Sequence, residues 1–311
     1  MNKYAIAFDV GGLFIKSAVL DDKGHVLPGT YTIYPAKSKE QKEVIIEHFV
    51  GLIKHQTNRI LDKSFEIYGV GYAFPGPFDY PGGISYIRQT DKFEHLYGVN
   101  LREELTMRLE QDPLFVARRA DRFQIRFEND ANLFALGELF AGHARAFNRS
   151  ICLTIGTGTG SAFIDNGQLI ANRADVPPNG WVYKEPFGAS IVDDYISKRG
   201  ILRLAQQAGM KTEGLEVKAI ADMARGGDAV SRGVFHQFGR NLGMMLNPFV
   251  AAFRPEAVII GGQIAKSKDL FLDGVSETLQ NSLLAIRTVD ETSLSTFVGI
   301  AQMLTQSAAK A

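Results

Sequence analysis

Residues 127–138 of this chain read Phe-Glu-Asn-Asp-Ala-Asn-Leu-Phe-Ala-Leu-Gly-Glu and place Glu128, Asn129 and Asp130 in succession. A carboxylate there can accept a proton from a hydroxyl as that hydroxyl attacks a phosphoryl group, and Asn129 could hold neighbouring hydroxyls. The same residues also suit helix capping, because Asn and Asp are favoured N-caps and acids are favoured in a first turn. Capping accounts for one such residue. Three in a row at the end of a buried strand stand where open α/β sheets place their ligands.

Three glycine turns carry the second piece of chemistry, each directly after an apolar strand. They are Asp9-Val-Gly11-Gly12, Gly156-Thr157-Gly158-Thr159-Gly160 and Gly261-Gly262. Small residues let backbone N–H groups approach a ligand, and clustered N–H groups bind phosphate oxygens. Any one of these turns reads equally well as a tight hairpin; three together favour a bound nucleotide. None has the Gly-Lys-Ser/Thr of a Walker A loop, and none is a clean dinucleotide fingerprint. Asp9 adds the acid that a magnesium–phosphate site needs.

The elements that must position these groups show an internal repeat. Ile6 to Gly24 and Ile151 to Gly167 each run strand, glycine turn, strand, acidic-plus-glycine hairpin. Two copies half a chain apart predict two similar α/β lobes, not a solenoid. Between them, Val44, Ile45, Phe49, Leu52 and Ile53 space out one helical face. Residues 65–74 read as a strand, the proline- and glycine-rich residues 74–83 as a loop, and residues 100–110 as a helix capped by Asn100. A short strand over 122–127 leads into a helix starting near Asp130. Residues 171–188 read as irregular and the stretch to about Phe253 as largely helical; a strand, double glycine and helix follow, and a last helix ends the chain. The repeat sets a small domain over 1–118, to which a helix over 296–311 returns, and a large one over 119–295.

Composition narrows the function classes. The chain has 311 residues with 34 basic and 34 acidic side chains, so nothing electrostatic points to nucleic acid or an acidic membrane. The single cysteine, Cys152, forms no internal disulfide and no thiolate zinc site. The six histidines have no metal-ligand spacing. Met1-Asn-Lys leads straight into a strand, unlike a signal peptide, and no apolar run approaches the ~20 residues of a membrane helix. The expectation is a soluble, cytoplasmic protein.

Taken together, Asp9-x-Gly-Gly, residues 69–79, the Glu-Asn-Asp-Ala-Asn…Gly-Glu run, residues 155–167 and residues 258–267 resemble the ROK family of repressors and sugar kinases along nearly the whole chain. The Glu-Asn-Asp run is the specific part; each glycine turn is weak alone. The resemblance implies a two-lobed actin/hexokinase-like fold of duplicated ribonuclease-H-like domains, with ATP and sugar in the cleft between the lobes, and a homodimer. It implies Asp130 as general base on the sugar hydroxyl, and Asn129 and the Pro75-Gly76 loop as sugar contacts. Asp9 would act on Mg2+ through water, and Gly11, Gly12 and Lys16 would lie near the transferred phosphate. Gly156, Thr157 and Gly158 would cradle phosphates, and Gly261 and Gly262 would face the nucleotide.

Two departures stand out. Leu13 follows the first double glycine where many family members have Thr. The family's Gly-Glu-Ile-Gly-His segment and zinc-binding cysteines are replaced by residues 174–188, so zinc is not expected. Glu185 is the candidate for the missing sugar-binding acid or is simply solvated; Trp181 and Tyr183 offer a flat surface to a sugar or pack against the lobe. The leading expectation is an ATP-dependent kinase of a hexose or hexose derivative. Its alternative is a catalytically divergent sugar- or nucleotide-binding protein. A repressor is less favoured, without a basic recognition segment.

Overall fold

The first strand, β1 (Asn2–Val10), is buried on both faces, so its sequence is a continuous apolar run instead of an alternation. Tyr4, Ile6, Phe8 and Val10 enter one core layer, and Ala5 and Ala7 enter another. The computed structural model describes residues 1–308, so the end of the helix expected over 296–311 lies outside the described residues. β2 (Phe14–Asp21) and β3 (Thr32–Pro35) complete an antiparallel meander. Helix α1 (Lys42–Thr57) then leads to β4 (Phe65–Ala73), which pairs parallel to β1. Its apolar face is Ile45, Ile46, Phe49, Val50, Leu52 and Ile53; Val44, expected there, is exposed instead.

A small hairpin of β5 (Phe78–Asp79) and β6 (Ile84–Ser85) follows. Next come α2 (Leu101–Glu110), capped by the Asn100 side chain as expected, and the short α3 (Pro113–Val116). β7 (Arg119–Glu128) is longer than its apolar core suggests and pairs parallel with β4, and α4 (Asp130–Ala141) leaves its end. The sheet order is β3-β2-β1-β4-β7.

The second half repeats this plan. β8 (Arg149–Ile155), β9 (Thr159–Asp165) and β10 (Gln168–Ile170) form a meander. Residues 171–185 are irregular, with two 3-10 turns, and lead into a two-residue hairpin of β11 (Pro186–Phe187) and β12 (Ser190–Ile191). Four helices follow: α5 (Val192–Tyr195), α6 (Lys198–Gln207), α7 (Val217–Arg225) and α8 (Ala229–Phe253). Then β13 (Ala257–Gly261) pairs parallel to β8, α9 (Lys268–Thr278) crosses over, and β14 (Ala285–Thr288) pairs parallel to β13. The order β10-β9-β8-β13-β14 matches the first sheet strand for strand. The irregular segment is tied down by ion pairs: Arg173 bonds Asp165 at 2.8 Å and Asp175 at 2.5 Å, while Arg149 reaches Asp175 at 2.8 Å with its guanidinium 4.4 Å above the Phe253 ring.

Helix α10 (Thr292–Ala308) starts four residues earlier than expected. It covers the alanine-lined face of the first sheet with Phe297, Ile300 and Leu304. The approach is close because small residues face it. A methyl group at Gly71 would lie 2.3 Å from Ile300, and one at Gly137 of α4 would lie 1.8 Å from the Ser295 carbonyl oxygen.

Contacts divide the chain into two units, one of Met1–Ala141 with the residues from Ser293 onward, the other Gly142–Thr292. The division falls after α4, not near residue 118, because β7 extends the first sheet and α4 packs under α10. No helix among the described residues is long and apolar enough to cross a membrane.

Candidate active site

Asp9, Ala73 and Glu128 stand in register across β1, β4 and β7. Three loops therefore leave the carboxyl ends of three adjacent parallel strands side by side, with the outer two about 10 Å apart. These are the Gly11-Gly12 turn, the Phe74-Pro75-Gly76 loop and the Asn129-Asp130 step into α4. Most of the residues expected to hold sugar and the transferred phosphate thus converge within the first unit.

Asn129 does the capping. Its Oδ1 accepts from Ala131 N at 3.0 Å and Asn132 N at 3.3 Å, so this oxygen already has two N–H partners at the start of α4. Its amide nitrogen donates to the Tyr80 hydroxyl at 3.5 Å, and that hydroxyl donates to the Phe74 carbonyl at 3.0 Å. Glu128 accepts from Asn129 N at 2.8 Å and from the Asn132 amide at 3.0 Å. With its neighbours committed, Asp130 is the group left facing outward. It is exposed, bonds only the backbone of Ala131 at 3.0 Å, and pairs with no side chain among the described residues. Desolvation by the surrounding protein, then the negative charge of Asp9, raises its pKa above the ordinary carboxylate value, with Lys92 acting in the opposite direction.

Asp9 is half-buried and accepts from the Ser293 hydroxyl at 2.7 Å. Ser293 in turn accepts from Lys16 Nζ at 2.8 Å, and Lys16 is the cross-strand partner of Asp9 on β2. This acid–hydroxyl–ammonium chain fixes Asp9 beside the first glycine turn. Gly11 N closes that turn on Phe14 O at 2.9 Å, and Gly12 O accepts from the Ser38 hydroxyl at 2.5 Å. Leu13, next in the turn, is 77% exposed.

In the second unit, Gly261 and Thr154 are register partners, so the turns after β8 and β13 also emerge together. Gly156 N bonds Gly158 O at 2.9 Å. Thr159 N is taken at 2.7 Å by the Asp193 carboxylate, which is paired with Arg199. Thr157 and Gly158 therefore remain as the donors this turn can offer an outside anion. Gly262 has φ +94, and a methyl group there would lie 2.3 Å from Ile155 O. Its N–H donates to the Thr292 hydroxyl at 2.6 Å, so Gly262 is required by packing whatever it faces. Glu185 is half-buried at the end of a 3-10 turn, with its N–H on Val182 O at 3.0 Å. Trp181 and Tyr183 contact one another with ring centroids 6.0 Å apart.

Four residues at these turns escaped sequence reasoning: Tyr80, Lys92, Asp193 and Ser293. Ser293 alone carried a signal, because Thr292-Ser293 ahead of an apolar run is a helix-start pattern.

The Asp9 carboxylate fits a magnesium ion that arrives with a nucleotide, since Mg2+ keeps several waters and takes one or two carboxylates plus phosphates. No cluster of three or more His, Cys, Asp or Glu among the described residues could hold a metal by itself.

The ROK family sequence profile matches residues 5–296. A glucokinase of Thermotoga maritima is 25% identical, with the match covering 90% of this chain and 88% of that protein. An N-acetyl-D-glucosamine kinase of Mannheimia succiniciproducens is 25% identical over 85% of each. The crystal structure of a ROK family glucokinase from Streptomyces griseus, in complex with glucose and AMPPNP, superposes with a TM-score of 0.75 at 21% identity, covering 97% of this chain and 99% of that one. The duplicated sheets, the loops at their strand ends and this likeness lead to one conclusion: the chain belongs to the ROK family and has the actin/hexokinase-like fold.

Proposed function

We propose that this chain transfers the γ-phosphoryl group of Mg-ATP to a hydroxyl of a hexose or hexose derivative. The observation that carries the reading is Asp130. Its carboxylate is the outward-facing acid at the strand ends of the first sheet, flanked by a capping Asn and held near Asp9. In the reaction the sugar hydroxyl oxygen bonds to the γ-phosphorus, the bond from that phosphorus to the bridging oxygen breaks, ADP leaves, and the hydroxyl proton passes to Asp130. A raised pKa makes the Asp130 carboxylate a better proton acceptor.

Asn129 Nδ2 and the backbone of Pro75-Gly76 are proposed to hold sugar hydroxyls, and Glu185 is proposed as a further sugar-binding acid. Gly11, Gly12 and Lys16 would serve the transferred phosphate, Gly156 to Gly158 the remaining phosphates, and Gly261-Gly262 the nucleotide. Asp9 would hold the magnesium of Mg-ATP through water. A cytoplasmic homodimer without a nucleic-acid partner completes the reading, and light scattering tests the assembly.

A divergent binding protein is the second reading. It is favoured by Leu13, which puts an exposed alkyl group where a hydroxyl would serve phosphate, and by Asp193, whose carboxylate occupies a donor of the second turn. Sugar-dependent ADP release across free hexoses, N-acetylhexosamines and β-glucosides separates the two. Turnover on one class supports the kinase; bound ATP with no turnover on any supports the binder.

A further inference from the structure

Residues 89–93 carry the most unusual backbone of the first unit. Gln89, Asp91 and Phe93 all have positive φ, at 55°, 57° and 56°. None is glycine, and a left-handed conformation is a genuine outlier for a residue as bulky as Phe. The segment is nonetheless firmly held. Phe93 is fully buried, its N–H bonds Ser38 O at 2.6 Å, and Ser38 donates to Gly12 O. The Glu94 carboxylate accepts from Thr90 N at 2.7 Å and Asp91 N at 3.0 Å. Such outliers persist where surrounding structure over-determines them, and they concentrate at functional sites.

This backbone delivers Lys92. Its stem lies against the first glycine turn, with Cδ 3.0 Å from where a methyl group on Gly12 would sit. Its charge acts on Asp130. Among the described residues its ammonium makes no hydrogen bond or ion pair, whereas Lys16 is tied to Ser293. A lysine whose stem rests on the glycine turn, whose charge reaches the proton acceptor and whose ammonium has no partner of its own among the described residues is placed to meet an anion bound at that turn.

We propose that Lys92 is a catalytic residue, its ammonium contacting the γ-phosphoryl group of the nucleotide at the Gly11-Gly12 turn. The proposal rests on the kinase reading above and adds a residue that the family resemblance did not supply. As the hydroxyl oxygen bonds to the γ-phosphorus and the bridging oxygen departs with ADP, Lys92 would keep its proton and stabilise the charge on the equatorial oxygens.

The test compares Mg-AMPPNP and Mg-ADP binding to the full chain and to Lys92→Met by calorimetry. Met keeps the unbranched stem on Gly12 while removing the charge. Loss of one charge-assisted contact lowers AMPPNP affinity on the order of ten- to a hundredfold and leaves ADP affinity unchanged. Where turnover is measured, kcat falls with it and Lys92→Arg restores part. Unchanged AMPPNP binding overturns the proposal, as does equal loss of both nucleotides, which marks a structural role. Absence of sugar-dependent ADP release by the unmodified chain refutes phosphoryl transfer instead, while the AMPPNP–ADP difference still decides the contact.

Discussion

Replacing Gly137 by Ala tests whether α10 positions the first half of the site. The new methyl carbon would stand 1.8 Å from the Ser295 carbonyl oxygen, and such contacts essentially never fall below 3.0 Å. Because the obstacle is backbone, no rotamer relieves it, and α10 must retreat from α4 by about 1.2 Å. The Ser293–Asp9 hydrogen bond, 2.7 Å long, would open to on the order of 3.9 Å and be lost. Overpacking costs about 1–3 kcal/mol or more, and the better helix propensity of Ala returns ~1 kcal/mol. The net loss, up to about 2 kcal/mol, lowers the melting temperature by at most roughly 4–8 °C. Calorimetry and ADP release on the same sample check both halves, with Ser293→Ala as the control that removes the Asp9 contact without moving α10. The control should lose activity with little change in melting. A Gly137→Ala protein that melts at or above the unmodified chain, with full activity, would refute this account of α10.

Further outcomes follow from the electrostatics. Asp130 must be ionised to accept a proton, and its pKa is raised, so kcat/KM should fall with decreasing pH at a limb above the ordinary carboxylate range near 4. A limb at or below that range would contradict the environment described for Asp130. Asp193→Ala should loosen the second glycine turn and raise KM for ATP more than it lowers kcat; an effect confined to kcat would remove Asp193 from nucleotide binding.

Much of this architecture was legible because it is local. Apolar strands ending in glycine turns appear twice in the sequence, and the two sheets have the same strand order. Asp130 was legible for the same reason, as an acid at a strand-to-helix step. What escaped depends on residues far apart in the chain. Ser293 meets Asp9 across 284 positions, and Lys92 meets Gly12 through a strained segment with no periodic signature. Motif residues also proved to have two uses. Asn129 caps α4, Gly262 yields to the backbone of Ile155, and the Gly137-Glu138 end of the Glu-Asn-Asp run seats α10, where Ser295 donates to buried Glu138 at 2.6 Å. The allegiance of β7 was missed because a strand's sheet is decided by its pairing partner, here β4, not by its own residues.

Sugar-dependent ADP release by Asp130→Asn, beside the unmodified chain and at neutral pH, tests the central claim most directly. Removing the general base lowers the rate by about 10²–10⁴. The fold should not suffer: a carboxyl whose pKa is raised on folding destabilises the folded state once ionised, so Asn should melt no lower than Asp. That advantage should vanish as pH falls below the ordinary carboxylate range. A folded, silent variant beside an active chain is the predicted result. A variant that keeps most of its activity would contradict the assignment of Asp130 and the reaction built on it.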